Sequence, residues 1–336
     1  SKLARERERT PSVSPHSGAG GVLTKRPLPW MDVRLKHGGS PTIHLLLLRY
    51  GAVDASGSGG DDGAAARSAE LLLALFTTTT LPSVAAQSSR EFVWLVHADA
   101  ALPPETLATL SAALAPFPHF HLLASPAGAD PIRLSCQEQL ERAGIWQAPV
   151  ASVPPTFIST RLEVGDALFA DAIAMLQMEI SRRLLPHSLY CWKRSISWQA
   201  WSPPGDGGAA GLLDLDDELP TVKGRVEGCL KSGLTLVTRV TPSLSVFSAK
   251  WKLQLARTVG GDHGWSRPLR ASSRVHDEGA PRPQGRLVAK EHGEELGRHF
   301  NISLAQLAPL NAQMASLGRL LKKPAKLPKR RKMAEG

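Results

Sequence analysis

Between residues 42 and 180 the chain alternates short apolar runs with stretches of good helix formers, one pair about every 20–30 residues. The apolar runs are Thr42–Arg49 (TIHLLLLR), Phe92–Val96, His119–Ala124 and Phe157–Leu162. Each is strand-sized, and Thr42–Arg49 is short, continuous and apolar, which fits a buried strand. The intervening stretches, Ala66–Phe76, Leu81–Gln87, Pro104–Ala115 and Ser135–Gly144, read as helices. Pro103 and Pro104 stand at the first turn of one of them, where a missing N–H costs no hydrogen bond. A further amphipathic helix follows residue 163, with Phe169, Ile173, Leu176 and Ile180 as its apolar stripe. This rhythm predicts an α/β fold with a mostly parallel sheet flanked by helices.

Ligands of such sheets bind beyond the carboxyl ends of the strands. Arg49, Asp99 and Glu163 each fall at such an end. The segment FISTRLEVGDALFADAIAMLQMEI, residues 157–180, carries the densest chemistry: Arg161, then Glu163 and Asp166 across a strand-to-helix turn. Two carboxylates at that spacing can share a divalent cation, which would neutralise a diphosphate. Asp166 equally suits the cap of the following helix, so the spacing leaves both readings open. Arg161 can pair with a phosphate or with Glu163, and Asp99 reads as a nucleotide contact or an exposed loop acid. His97 reads as a satisfied strand-end histidine. The acidic cluster Asp214, Asp216, Asp217 and Glu218 is a candidate base for deprotonating an acceptor, or a solvated loop.

After Pro186 the segments Ser188–Trp192, Ser195–Trp201 and Leu234–Val240 read as strands. No period survives beyond Trp251, apart from a weak helix over Ile302–Leu321. The formal charge of +10 is concentrated at the two ends. Residues 1–36 hold eight basic and three acidic residues, and residues 316–336 hold eight and one, against 24 and 26 between them. A near-neutral body with basic tails argues against a nucleic-acid-binding domain, despite a pI of 9.8. Lys322–Lys332 (KKPAKLPKRRK) reads as a solvated tail.

Cys136, Cys191 and Cys229 have no metal-type or redox-type spacing, and three buried thiols are expected, with one bridge plus one thiol as the alternative. No apolar run reaches membrane-spanning length, so membrane association is not evident. One sequon, Asn301-Ile302-Ser303, is present. The chain lacks GxGxxG at a strand-to-helix turn, GxxxxGK[ST], HExxH and GxSxG. Dehydrogenase, P-loop, zinc-protease and serine-hydrolase chemistries lose their usual support.

The stretches LFTTTTLPSVAAQSSREFVWLVHADAALP (Leu75–Pro103) and ISTRLEVGDALFADAIAMLQ (Ile158–Gln177) resemble the rhamnosyltransferase family, a branch of the GT-A-like glycosyltransferases. The resemblance rests on Arg49 at the end of the first strand, on Leu81, Pro82, Ser83 and Gln87 of an LPS…Q helix, and on Asp99. It continues in Thr160, Arg161, Leu162, Asp166, Ala167 and Leu168, which match a TRLD-x-DDAL segment. It spans roughly residues 42–250 and is strongest before 180. Glu163 and Gly165 stand where the family has Asp, and Thr241–Trp251 carries no match to the family's C-terminal His/Asn segment.

The resemblance implies a GT-A-like domain over 41–255, between a disordered arm (1–40) and a poorly structured basic tail (256–336). It implies transfer of a sugar, with rhamnose as a candidate, from a nucleotide-sugar donor to a glycan or other hydroxyl acceptor. Arg49, Asp99 and Arg161 would bind the nucleotide sugar. Glu163 and Asp166 would hold Mn²⁺ or Mg²⁺ in a degenerate DxD-type site, and Asp214, Asp216 or Asp217 would serve as base. The alternatives are an inactive GT-A-like binding relic and a basic nucleic-acid-binding protein. Both the secretory lumen and the cytoplasm stay open as locations.

Overall fold

The first apolar run becomes β1, Thr42–Tyr50, an interior strand of a seven-stranded sheet. The computed structural model describes residues 42–51, 62–126, 129–146, 155–183, 188–192, 194–200, 212–218, 233–238, 245–247, 256–259, 269–275, 287–303, 305–306 and 308–313. The expected basic arm and the Lys322–Lys332 tail lie outside the described residues.

On one side β1 pairs in parallel with β2 (Val93–Asp99), which pairs in parallel with β3 (Phe120–Ser125). On the other side it pairs in parallel with β4 (Thr156–Glu163). The crossovers are helical. From β1 the chain passes through α1 (Asp62–Leu75), a π turn (Phe76–Thr80) and α2 (Leu81–Ala85) to β2, then through α3 (Pro104–Leu114) to β3. A 3₁₀ turn (Pro131–Arg133) and α4 (Cys136–Arg142) precede β4. Ser135 and Glu138 close a reciprocal capping box on α4, with Glu138 N–H donating to Ser135 Oγ at 3.2 Å.

Side-chain alternation explains why β1 tolerates no polar face. Leu46, Leu48 and Tyr50 enter one core with Phe76, Trp94, Phe120 and Ile158. Ile43, Leu45 and Leu47 enter a second core with Leu95, Ile132, Leu140 and Phe157. Helix α5 (Ala172–Arg183) covers the first core with Ile173, Leu176 and Ile180, all fully buried, as the stripe predicts. The polar residues buried in the sheet pair with one another. His44 Nε2 lies 2.8 Å from Thr160 Oγ1, which lies 2.8 Å from Thr235 Oγ1. Ser89 donates to Gln177 Oε1, so the Gln177 amide N–H points at His44 Nδ1 and the imidazole proton sits on Nε2.

Beyond β4 the sheet continues through β9 (Thr235–Thr238), β6 (Ser188–Trp192) and β10 (Ala256–Val259). β9 runs antiparallel to both of its neighbours. A second sheet holds β5 (Asp166–Ala167), β11 (Leu269–Val275), β7 (Arg194–Ala200), β8 (Leu212–Glu218) and β12 (Leu287–Val288). The mostly parallel sheet with flanking helices is the GT-A-like architecture the resemblance implies.

Three expectations need correction. Residues 256–300, read as part of a poorly structured tail, supply β10, β11, β12 and the helix α6 (Gly293–Phe300), whose Leu296 and Phe300 are buried in the first core. Their strands carry too few apolar residues in series to show a period. The acidic run at 214–218 lies on β8 and not in a loop, held antiparallel to β7. Cys191 is disulfide-bonded, and Cys136 is a buried thiol outside any disulfide, so one bridge and one thiol replace three thiols.

Candidate functional site

The carboxyl ends of β1, β2 and β3 open onto a cleft of about 240 Å³. Arg49, Tyr50 and Gly51 line it from β1, His97, Ala98 and Asp99 from β2, and Ser125 and Pro126 from β3. Asp130, Pro131 and Ile132 close it. That volume is just under the range of ~300–1,000 Å³ usual for ligand pockets.

Arg49 and Asp99, singled out at strand ends, both face this cleft. Arg49 pairs with Asp130, which also takes Arg133 Nε at 2.7 Å. Asp99 Oδ1 accepts the N–H of Ala101 at 2.8 Å, so one carboxylate oxygen shapes the turn that leaves β2. His97 is buried, with Nε2 2.9 Å from Gln139 Oε1. Burial lowers its pKa to about 4, which keeps the ring neutral.

The β4 end lies beside the cleft, with Glu163 opposite Arg49 in register. Arg161 pairs with Glu163, the blander of its two expected partners. The turn after Glu163 passes through Gly165 at φ +92°, a conformation that side chains with a Cβ rarely adopt. Asp166 then enters β5, where it is 2% exposed and accepts the N–H of Glu163 through Oδ2 at 2.8 Å. It is not the cap of the next helix, since α5 begins at Ala172.

This arrangement decides how a divalent cation would fit. Asp166 is turned inward onto the Glu163 backbone, Glu163 is turned onto Arg161, and Gly165 offers no side chain. Among the described residues no three His, Cys, Asp or Glu side chains gather as a metal-holding group. As arranged, each of the two carboxylates is engaged within the protein, Asp166 by a backbone N–H and Glu163 by Arg161. The candidate bases Asp214, Asp216 and Asp217 stand on β8, three strands from β5, about 14 Å at ordinary strand spacing.

The LPS…Q residues have a role that sequence reading missed. Thr80 Oγ1 accepts the N–H of Gly165 at 2.9 Å, and Ser83 Oγ accepts that of Leu168 at 3.2 Å. Gln87 donates to the carbonyl of Phe169 at 2.9 Å and accepts the N–H of Ile173, in the first turn of α5, at 3.0 Å. One face of the π turn and α2 is thus a polar socket for the backbone of 165–173. The π turn aims Thr80 into it, a placement common near functional sites. The co-occurrence of LPS…Q with GDAL was the only signal of this in the sequence.

Two more residues escaped notice. Asp130 lies beyond β3, and nothing local marks it as a partner of Arg49. Phe247 comes from a distant turn and lies under two cations: the Arg49 guanidinium carbon is 5.7 Å from its ring centroid and that of Arg161 is 4.7 Å. Ser245 Oγ donates to Ile132 O at 2.8 Å and Val246 N–H donates to Ser159 Oγ at 2.9 Å, which fixes the turn.

Among the described residues no helix is long and apolar enough to cross a membrane. Comparison with curated proteins gave no match. Residues 64–188 match the family profile described as "Putative rhamnosyl transferase". The match takes in the socket of Thr80, Ser83 and Gln87, the strand end of Arg161 and Glu163, and the buried Asp166. It supports glycosyl transfer as the class of activity, with a sugar donor and an acceptor as partners. The segment 64–188, which builds this socket and the strand end it holds, is thus similar to the family of putative rhamnosyl transferases.

Proposed function

We propose that the protein transfers a sugar, rhamnose being the first candidate, from a nucleotide-sugar donor to a hydroxyl of a glycan or other acceptor. The observation that carries this reading is the convergence of Arg49 and Asp99 on one cleft, with Arg161 and Glu163 at the adjoining strand end. The nucleoside would occupy the cleft, with Asp99 accepting from a base or ribose hydroxyl. The diphosphate would pass across the β1 and β4 ends, within reach of Arg49 and Arg161. In the reaction the acceptor oxygen bonds to the anomeric carbon as the bond from that carbon to the diphosphate breaks. The electron pair leaves with the nucleoside diphosphate, and a base takes the acceptor proton. The acidic run of β8, Asp214, Asp216 and Asp217, is the source of that base in this reading.

The test is release of nucleoside diphosphate from UDP- and dTDP-sugars, followed with and without acceptor glycans. Turnover that falls at least tenfold in Arg49→Ala supports the proposal. Absence of turnover with every donor, in a chain that still binds them, would favour the second reading. That reading keeps the cleft and drops the catalysis, and the buried Asp166 and side-chain-free Gly165 favour it.

A further inference from the structure

We infer that Arg49 and Arg161, held at a fixed spacing by Phe247, take the donor diphosphate directly and do the work otherwise done by a divalent cation. This rests on the nucleotide-sugar reading above and adds to it how the charge of the leaving group is met.

Four observations carry it. Both guanidiniums lie against one phenyl ring, at 5.7 and 4.7 Å, and that ring sits on a turn bonded to the 3₁₀ turn at Ile132 and to β4 at Ser159. Each guanidinium is closed by a partly exposed carboxylate, Asp130 for Arg49 and Glu163 for Arg161. Those carboxylates occupy the positions that phosphate oxygens would take, since a guanidinium fork accepts either anion bidentately. Among the described residues the buried Arg161 Nε–H has no hydrogen-bond acceptor, so this side chain has donor capacity that Glu163 does not fill. Finally, Glu163 and Asp166 are each engaged within the protein, by the Arg161 guanidinium and by the Glu163 N–H.

The charges are consistent with an exchange. Two guanidiniums supply the same formal charge as one divalent ion, and they keep it at any working pH. Asp130 retains Arg133 when Arg49 turns to phosphate, so releasing Arg49 leaves no carboxylate stranded. A monophosphate can engage one guanidinium, whereas a diphosphate spans both. The site therefore selects nucleoside diphosphates over monophosphates.

The experiment is calorimetric titration of the full chain with UDP, UMP, dTDP and dTMP, in excess EDTA and in Mn²⁺. For at least one base, the diphosphate binds in EDTA within about twofold of its affinity in Mn²⁺. It also binds roughly tenfold or more tightly than its monophosphate. Arg161→Ala removes that preference while monophosphate affinity stays within about twofold, and Arg161→Lys, which keeps charge without the fork, restores part of it. Phe247→Leu weakens the diphosphate several-fold. Diphosphate binding that requires Mn²⁺, or a preference that survives both Arg161 substitutions, overturns the inference and leaves the nucleotide-sugar reading standing. No binding of any of the four nucleotides under either condition overturns both.

Discussion

Replacing Gln87 by Met tests whether the LPS…Q socket, rather than local helix propensity, holds the chemistry-bearing turn in place. Gln87 is 1% exposed and its amide meets the carbonyls of Ser83 (3.0 Å) and Phe169 (2.9 Å), while its oxygen accepts from Ile173 N–H (3.0 Å). Met has nearly the same length and fills the space, so the loss is polar and not steric. Phe169 O keeps the N–H of Ala172 at 2.9 Å, so it is not orphaned. Ile173 N–H, at the start of α5, is left without its acceptor, which costs about 1–3 kcal/mol. The lost donor bonds add about 1 kcal/mol net. The sum, about 2–4 kcal/mol, is a large part of the 5–15 kcal/mol typical of a domain. With an m-value near 2 kcal/mol/M the urea midpoint falls by roughly 1–2 M. Equilibrium urea unfolding followed by tryptophan fluorescence reads it directly. A midpoint that moves by less than about 0.3 M would refute the socket argument, because it would mean that the turn is held without Gln87.

Other consequences are equally measurable. His44 and His97 are buried and held neutral, at about 3 and about 4, so their contribution is complete above the unfolded value of 6.5 and lost as pH falls toward those values. Each should cost on the order of 3 kcal/mol by pH 4, seen as a falling urea midpoint between pH 7 and pH 4; a flat profile would contradict their burial. Gly165→Asp restores the family residue but forces a side chain at φ +92°, costing about 1–2 kcal/mol. It should lower Tm by several degrees and give no Mn²⁺-dependent turnover beyond the parent chain. With Cys191 bridged and Cys136 a thiol outside the bridge, the denatured, unreduced chain should titrate one thiol of its three cysteines, and all three after reduction.

Some of this was readable in advance for physical reasons. β1 and β2 carry apolar runs because both faces of a parallel sheet are covered, and such runs leave a clear mark. The turn at Gly165 and the stripe of Ile173, Leu176 and Ile180 are local and equally plain. Asp166 was ambiguous because a carboxylate before a helix suits a cap, a cation or a buried turn, and only tertiary placement selects among them. The pairing of Arg49 with Asp130, 81 positions apart, and the shared ring of Phe247 join segments whose local sequence records nothing of the partner. The socket of Thr80, Ser83 and Gln87 binds backbone, so no partner residue type could betray it. β10 and β12 are four and two residues long, too short to show a period, and β11 (LRASSRV) has too few apolar residues to mark one.

A crystal structure of the chain grown with saturating UDP or dTDP tests the central claim most directly. The nucleoside is expected in the cleft lined by Arg49, His97, Asp99 and Asp130, with the diphosphate between the Arg49 and Arg161 guanidiniums and Asp130 still on Arg133. A nucleotide bound on another surface, or an unchanged Arg49–Asp130 pair beside an empty cleft at saturation, would contradict it.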